Sequence, residues 1–465
     1  MTALPVAFRS NEGKYKYLGV PKLINAYAEQ QGNDAKGPMA VLPCAGIVEL
    51  ASVNDGPGRG LIYLEDTNAL YSVHPHSVYR IYEDGTTLRV GVVPGVGQVQ
   101  LSRNQAETPE ITVLGDALQC ISSDSIAYIL DPSIPDNPIT QDYVSSYNVI
   151  GYEDRRFFLS GIDNALSFDA LDFDAFDQYA GKLVRVKGDG GQLFGFCSRW
   201  YEVYNNSGND FPFELIATRQ TGLLAANAVA AADNTLMFPS DKRIIGRLNN
   251  YDFGRISTHY IERLLEQDTA PQNMIGFSWA EEGHEFVNWT GSNYSVCYDA
   301  ATQVWHNRQS HNSQTWRARN SVKAWNKTIV QDSMTGKIGY LDSDTFTEYG
   351  NPMVWGVDSP TLHVFPNGGI VDAVHFDLAT GYGSFSSSSQ GFNPKVMLWV
   401  SKDGGNTWDQ YRELELGQAG KYQTRVTARR LGKITEKGAV FRLRISDPVV
   451  RALVNVDVEV RPLKR

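Results

Sequence analysis

The chain has 465 residues, is 42% hydrophobic and 20% charged, and carries a formal net charge of −10. That length predicts two compact units or one large repeat-built unit, and the negative balance excludes a general nucleic-acid binder, which needs a positive surface. The opening MTALPVAFRSNEGKYKYLG lacks the apolar core of a secretory signal, and no run of about 18 apolar residues exists to form a membrane-spanning helix, so synthesis in a cytoplasm is expected.

Glycine (42), proline (20) and 11% aromatics favour short strands and turns. Cys44, Cys120, Cys197 and Cys297 stand far apart with no Cys-x-x-Cys, the pattern of buried free thiols. Residues 1–45 read as an N-terminal arm. From 46 to 350 a unit recurs: a polar turn, then a short apolar or alternating strand. Copies begin at Glu65 (EDTNALYSV), Glu83 (EDGTTLRVGVV), Ser122 (SSDSIAYIL), Tyr152 (YEDRRFFLSG), Lys187 (KGDGGQLFGFC), Ala231 (AADNTLMFP), Ala280 (AEEGHEFVNW) and Asp332 (DSMTGKIGYLD). Asp, Asn and Gly stand where a hairpin needs positive φ. From Asp124 onward the copies return roughly every 30–50 residues, which overlaps the period of propeller blades.

Within this region VHPHSV sets His74 and His76 two apart, on one face if the segment is a strand. With no third ligand identifiable, no metal site is expected. SFDALDFDAFDQY groups Asp169, Asp172, Asp174 and Asp177 without calcium-loop spacing and reads as an acidic surface loop with aromatic feet. TGLLAANAVAAADN reads as a crossing between blades. STHYIERLLEQDT is the best helix candidate, with Ile261, Leu264 and Leu265 on one face and Ser257 or Thr258 as N-cap.

Near residue 351 the texture turns Gly-, Ser- and Pro-rich, then clean strands follow. Residues 351–465 are expected to form a separate β-sandwich. The fold class expected is therefore all-β: a β-propeller-like N-terminal and central region with a C-terminal β-sandwich-like domain. SKDGGNTW (401–408) matches the Asp box known from sialidases. Ser401 and Asp403 can accept from turn amides, Gly405 permits the tight backbone, Thr407 completes the motif, and Trp408 is expected to turn inward. Each residue explains a rigid hairpin without a substrate, so no catalytic residue is assigned. A sialidase-like or other glycan-cleaving or glycan-binding propeller is the alternative. Residues 421–465 hold twelve Lys or Arg against four Asp or Glu, an excess of eight that leaves −18 on the remainder. Arg425, Arg429, Arg430, Lys433, Arg442 and Arg444 lie on or between two strands expected to be neighbours. They form a candidate docking surface for an acidic partner.

Several stretches together resemble one family, the packaged-DNA stabilisation proteins or tail nozzles of short-tailed bacteriophages. They are LINAYAEQQGNDAKGPMAVLPCAGI, LSFDALDFDAFD with GQLFGFCSRWYEVYNNSGNDFPFELI, DFGRISTHYIE, EEGHEFV, YDAATQVWHNR, GKIGYLDSDTFTEYGNP, and the run from VMLWVSKDGGNTW through RRLGK to FRLRISDPV. Cys44, where a small residue or Pro is usual, and an interrupted turn at Asn249–Asp252 depart from the pattern. The resemblance implies a virion tail component without cofactor or enzymatic activity. It implies a homo-oligomeric ring, a hexamer, below the portal and adaptor. That ring would contact a tail needle, fibre or tailspike and pass double-stranded DNA without sequence specificity. The acidic bulk suits such a conduit, because a negative wall repels DNA and lets it slide.

Overall fold

The polar turns close as tight hairpins. In the computed structural model, which describes residues 2–4, 6–32 and 34–463, Asn68, Asp124, Asp233 and Asn234 take φ between 50 and 58°. Asn and Asp tolerate this left-handed region because their short polar side chains bond locally. Among the described residues the hairpins build seven four-stranded antiparallel blades. Blades 1 to 6 span residues 60–91, 100–128, 140–175, 183–219, 230–255 and 275–307. Blade 7 takes three strands from residues 318–342, and its fourth is Gly46–Ser52, paired antiparallel with Lys337–Asp342. A strand laid down before blade 1 thus closes the ring.

The first strand of each blade lies nearest the axis, and Ala318–Ala324 of blade 7 meets Gly60–Leu64 of blade 1. Apolar faces interlock between blades. Phe194, Phe196, Tyr201 and Val203 of blade 4 pack on Leu236 and Phe238 of blade 5. Each such side chain contributes about 1.5–3 kcal/mol when fully buried.

Beyond blade 7 two sheets form the sandwich. Trp355–Asp358, Val440–Ile445, Lys395–Ser401 and Gln410–Glu415 follow one another in one sheet. In the other, Gly369–Leu378 lies between Val426–Ile434 and Leu453–Pro462. Alternation along Val440–Ile445 turns Phe441, Leu443 and Ile445 into a core shared with Val374, Phe376, Leu398, Val456 and Val458.

The described part of residues 1–45 is not an arm. Thr2–Leu4 pairs with Leu453–Pro462, and the hairpin of Ala26–Gln30 and Met39–Pro43 joins the same sheet through Val41 opposite Leu453. Lys22–Ile24 pairs with Trp355–Asp358, and Ile24 lies parallel to Asn307 of blade 6. One nine-stranded sheet therefore runs from blade 6 into the sandwich. The cause is apolar. Leu23, Ala26, Ala28 and Val41 have no exposed surface, and as a free arm they would face water. The sandwich hangs on blades 6 and 7, so blade 3 lies across the ring from it.

The helix α1 spans His259–Gln267 and buries Tyr260, Ile261 and Leu265, with Leu264 half-buried against the same cluster. Thr258 stands at its N-cap without a side-chain bond; Ser257 donates instead to Glu262 Oε1 at 2.8 Å. Residues 221–229 cross from blade 4 to blade 5 and lead into the strand Ala230–Ala232.

Three expectations need correction. The acidic segment is no loop: Asn164–Ala175 is the outer strand of blade 3, with Phe168 buried and Phe173 exposed. Its length lets it pair along Arg156–Gly161 despite two register shifts. Asn249–Asp252 is a regular two-residue hairpin turn, since Asn250 and Tyr251 both take positive φ. His74 and His76 sit in the turn between two strands, where side chains need not alternate. His74 is buried on Ser72 and Gly56, whereas His76 points outward to Asp55. The four cysteines are buried and free.

Candidate docking surface

The Asp box is a self-contained knot of hydrogen bonds. Asp403 Oδ1 accepts from Ser401 Oγ at 2.7 Å and from the amides of Asn406 and Thr407 at 3.0 Å. Its Oδ2 accepts from Thr407 Oγ1 at 2.8 Å, and Gly405 N–H donates to Ser401 Oγ at 2.8 Å. Gly404 and Gly405 take φ of 74 and 96°, a region closed to most side chains. A Cβ on Gly405 would also stand 2.9 Å from Val20, on which the turn rests. Burial pushes the Asp403 carboxyl up, but the bonds from Thr407, Ser401 and Asn406 outweigh it and hold it at about 2.

That depression has a sign that can be tested. A carboxylate held below its ordinary value of 3.8 stabilises the fold above pH 3.8 and loses that contribution as pH falls toward 2. The gap in melting temperature between wild type and Asp403→Asn is expected to be full at pH 5 and to shrink below pH 4. A gap unchanged down to the acid limit would show that the charge is not what holds the turn.

Trp408 does not turn into the core. It is half-buried on the outer face of its sheet, with the Arg442 guanidinium 3.8 Å from its ring centre. It lies in the turn before the strand Gln410–Glu415, where alternation does not bind it, and the inward positions of that sheet are already filled by Leu398, Val400, Phe441 and Leu443.

The six candidate cations divide between two sheets. Val426–Ile434 pairs with Gly369–Leu378, whereas Val440–Ile445 pairs with Trp355–Asp358 and Lys395–Ser401. The two strands follow one another in the chain but are not neighbours in a sheet. Arg442 and Arg444 share one face, as alternation predicts, and buried Asp358 takes both. Arg442 bonds both its oxygens at 2.9–3.1 Å, and Arg444 Nη1 lies 2.7 Å from Oδ1. Burial pulls the Arg444 guanidinium below the usual arginine range, Asp358 pulling it back up. These two arginines are committed inside the molecule and do not form a free docking face.

Arg425, Arg429, Arg430 and Lys433 differ. All four are exposed on or beside an edge strand, and none makes an ion pair among the described residues. A register shift opposite Val371–Ala373 bulges this edge at Arg430, whose φ is 57°. Arg412 donates to the carbonyls of Arg429 and Arg430, occupying edge acceptors. Bulge and charge both discourage strand addition, leaving side chains as the means of contact.

Sequence reasoning missed Asp358 and Asn25. Asp358 had a signal: in WGVDSP it alternates with the apolar Trp355 and Val357, as the arginines do with Phe441 and Leu443.

Comparison with known proteins fits this two-part architecture. A family model described as the bacteriophage P22 Gp10 β-propeller matches residues 16–346. The chain belongs to this family. The Gp10 β-sandwich model matches residues 354–461, so both parts of this Gp10-family protein are accounted for. It is a structural protein of a bacteriophage virion. Among solved structures it is similar to YCF48 from Cyanidioschyzon merolae, at 10% identity and TM-score 0.43, covering 64% of this chain and 98% of that one. It is also similar to BamB from Moraxella catarrhalis, at 8% identity and TM-score 0.41, covering 69% and 97%. No curated protein matches it.

Proposed function

We propose that the chain is a tail nozzle subunit, without enzymatic activity. Copies form a ring below the portal and adaptor, continue the DNA channel, and retain packaged genome until ejection. Family resemblance makes the ring a hexamer whose far end meets a needle, fibre or tailspike. One observation carries the reading: two strand edges of opposite charge, each without an ion-pair partner among the described residues, lie across the protomer from one another. The basic edge bears Arg425, Arg429, Arg430 and Lys433. The acidic edge, the outer strand of blade 3 and the residues just past it, bears Asp169, Asp172, Asp174 and Asp177 beside Leu171, 83% exposed, and Phe173, 43% exposed.

Such edges suit head-to-tail packing, in which unlike surfaces of successive copies meet and the rotation closes. The dimensions of the propeller agree. Its axial cavity is only about 150 Å³, room for about five waters at about 30 Å³ each. A duplex would have to run between subunits, past a chain whose bulk is acidic.

Charge exchange tests the reading. Reversing Arg429 and Arg430 to Glu should abolish ring density on tails and let packaged genome leak, as should reversing Asp169 and Asp172 to Lys. The combined variant should regain a substantial share of both. Rings of normal size from each single reversal would reject the edges as the subunit contact. Intact rings that retain no DNA would reject the nozzle role.

A further inference from the structure

The axial cavity of the propeller holds an arginine, Arg185, without an ion-pair partner among the described residues. Arg185 lines it together with Gln98, Gln100, Asn227 and Asn320, and no carboxylate is among the residues of its wall. Arg185 Nε is shut off from solvent without a hydrogen-bond partner, and the side chain forms no ion pair among the described residues. Asp142, the acid whose charge acts on Arg185, is bound to Lys187 at 2.7 Å and to the Gly188 amide at 2.9 Å. Burial pulls the Arg185 guanidinium below the usual arginine range, Asp142 partly opposing it. Arg185 as a whole is half-buried, but a guanidinium N–H shut off from water without a partner is costly, and native structures rarely leave one so.

The backbone shows that this arrangement is built. Of the seven strands nearest the axis, only Leu183–Asp189 and Ala318–Ala324 break register with their neighbours among the described residues. The first break falls between Leu183 and Arg185, the second between Arg319 and Ser321, where Asn320 takes φ of 54°. A bulge re-aims the side chain beside it, and each of these delivers a polar residue to the cavity. Asn320 is then held in place, donating to Gln331 Oε1 at 2.8 Å and accepting from Gln98 Nε2. The carboxamide of Asn227 has no protein partner among the described residues and remains free to donate.

We infer that the propeller axis is a binding site for one tetrahedral oxyanion of phosphate or sulfate size, gripped by Arg185 and oriented by the carboxamide of Asn227. A planar fork of N–H donors matches two oxygens of such an anion, and the cavity volume accommodates it. This inference is independent of the nozzle reading, since it concerns one protomer.

Calorimetric titration of the full chain with inorganic phosphate, at ionic strength held constant with sodium chloride, tests it. One saturable site per chain is expected, with a rise in melting temperature that chloride does not reproduce. Arg185→Gln should abolish both responses while melting without phosphate no lower than wild type. Asn227→Ala should weaken binding by about tenfold, one hydrogen bond's worth, and it serves if the arginine variant fails to fold. An equal phosphate response in Arg185→Gln, or no saturable response in wild type, would overturn the site. A response to acetate but not to phosphate would also overturn it, pointing to a carboxylate guest from another chain.

Discussion

Replacing Asp358 with Ala is expected to cost about 3–5 kcal/mol, the penalty for leaving a buried charge without its partner. Asp358 has 2% of its side chain exposed, and the arginines it joins have 32% and 13%. Without the carboxylate, Arg442 and Arg444 would face one another as like charges, with Arg444 nearly closed off from water. Arg442 has a second support in the Trp408 ring, worth about 0.5–2 kcal/mol, but Arg444 has none of that kind. Equilibrium denaturation would measure the loss. A companion variant, Asp358→Leu with both arginines changed to Met, should recover most of it, because apolar replacements of buried ionic groups are often neutral. A loss under about 1 kcal/mol for Asp358→Ala would mean that water solvates the two arginines well enough alone.

Asn25→Ala is expected to uncouple the two domains. Asn25 is 1% exposed and sits at φ 49°, just past the strand that joins propeller to sandwich. Its Nδ2 donates to Gln309 O at 2.8 Å and to Val354 O at 2.9 Å, and its Oδ1 accepts from Gln309 N–H at 3.0 Å. One carboxamide thus ties the end of blade 6 to the start of the sandwich. Alanine would strand one amide and two carbonyls, at about 1–3 kcal/mol for each group left unsatisfied, and would strain the left-handed backbone by about 1–2 kcal/mol. Scanning calorimetry should show one cooperative transition in the wild type split into two in the variant. Asn25→Gly, which accepts that φ, should lie between them. A single unsplit transition in Asn25→Ala would show that the shared sheet alone couples the domains.

The hairpins of the propeller were legible because their chemistry is local: polar turns such as EDTN at 65–68 and EDG at 83–85 announce themselves before each strand. The sandwich strands were legible for the same reason, through the alternation in VFRLRI and LVNVDVEV. What pairs with what over long distances was not. Nothing in GIVELAS says that its partner lies in KIGYLD, so blade 7 and the number of blades stayed hidden, and residues 1–45 passed for an arm. Alternation put Arg442 and Arg444 on one face but was silent about Asp358 opposite them. Trp408 failed differently. An aromatic after a turn suits a core or a cationic partner equally, and only the filled inward positions of its sheet decide between them.

The closing strand and the N-terminal hairpin have a consequence in time. During synthesis Val41 emerges 412 residues before Leu453, its partner in the sandwich. At about 5–20 residues per second the interval is roughly 20–80 s. Through that interval the hairpin of Ala26–Gln30 and Met39–Pro43 is in search of an edge, and most blades can pack before Lys337–Asp342 arrives to shut the ring on Gly46–Ser52. Distant pairings of this kind slow folding and prolong exposure to aggregation. They also act as a proofreading step. A nascent chain cut short before Lys337–Asp342 leaves both domains open, and so carries no finished surface with which to enter and spoil a growing particle.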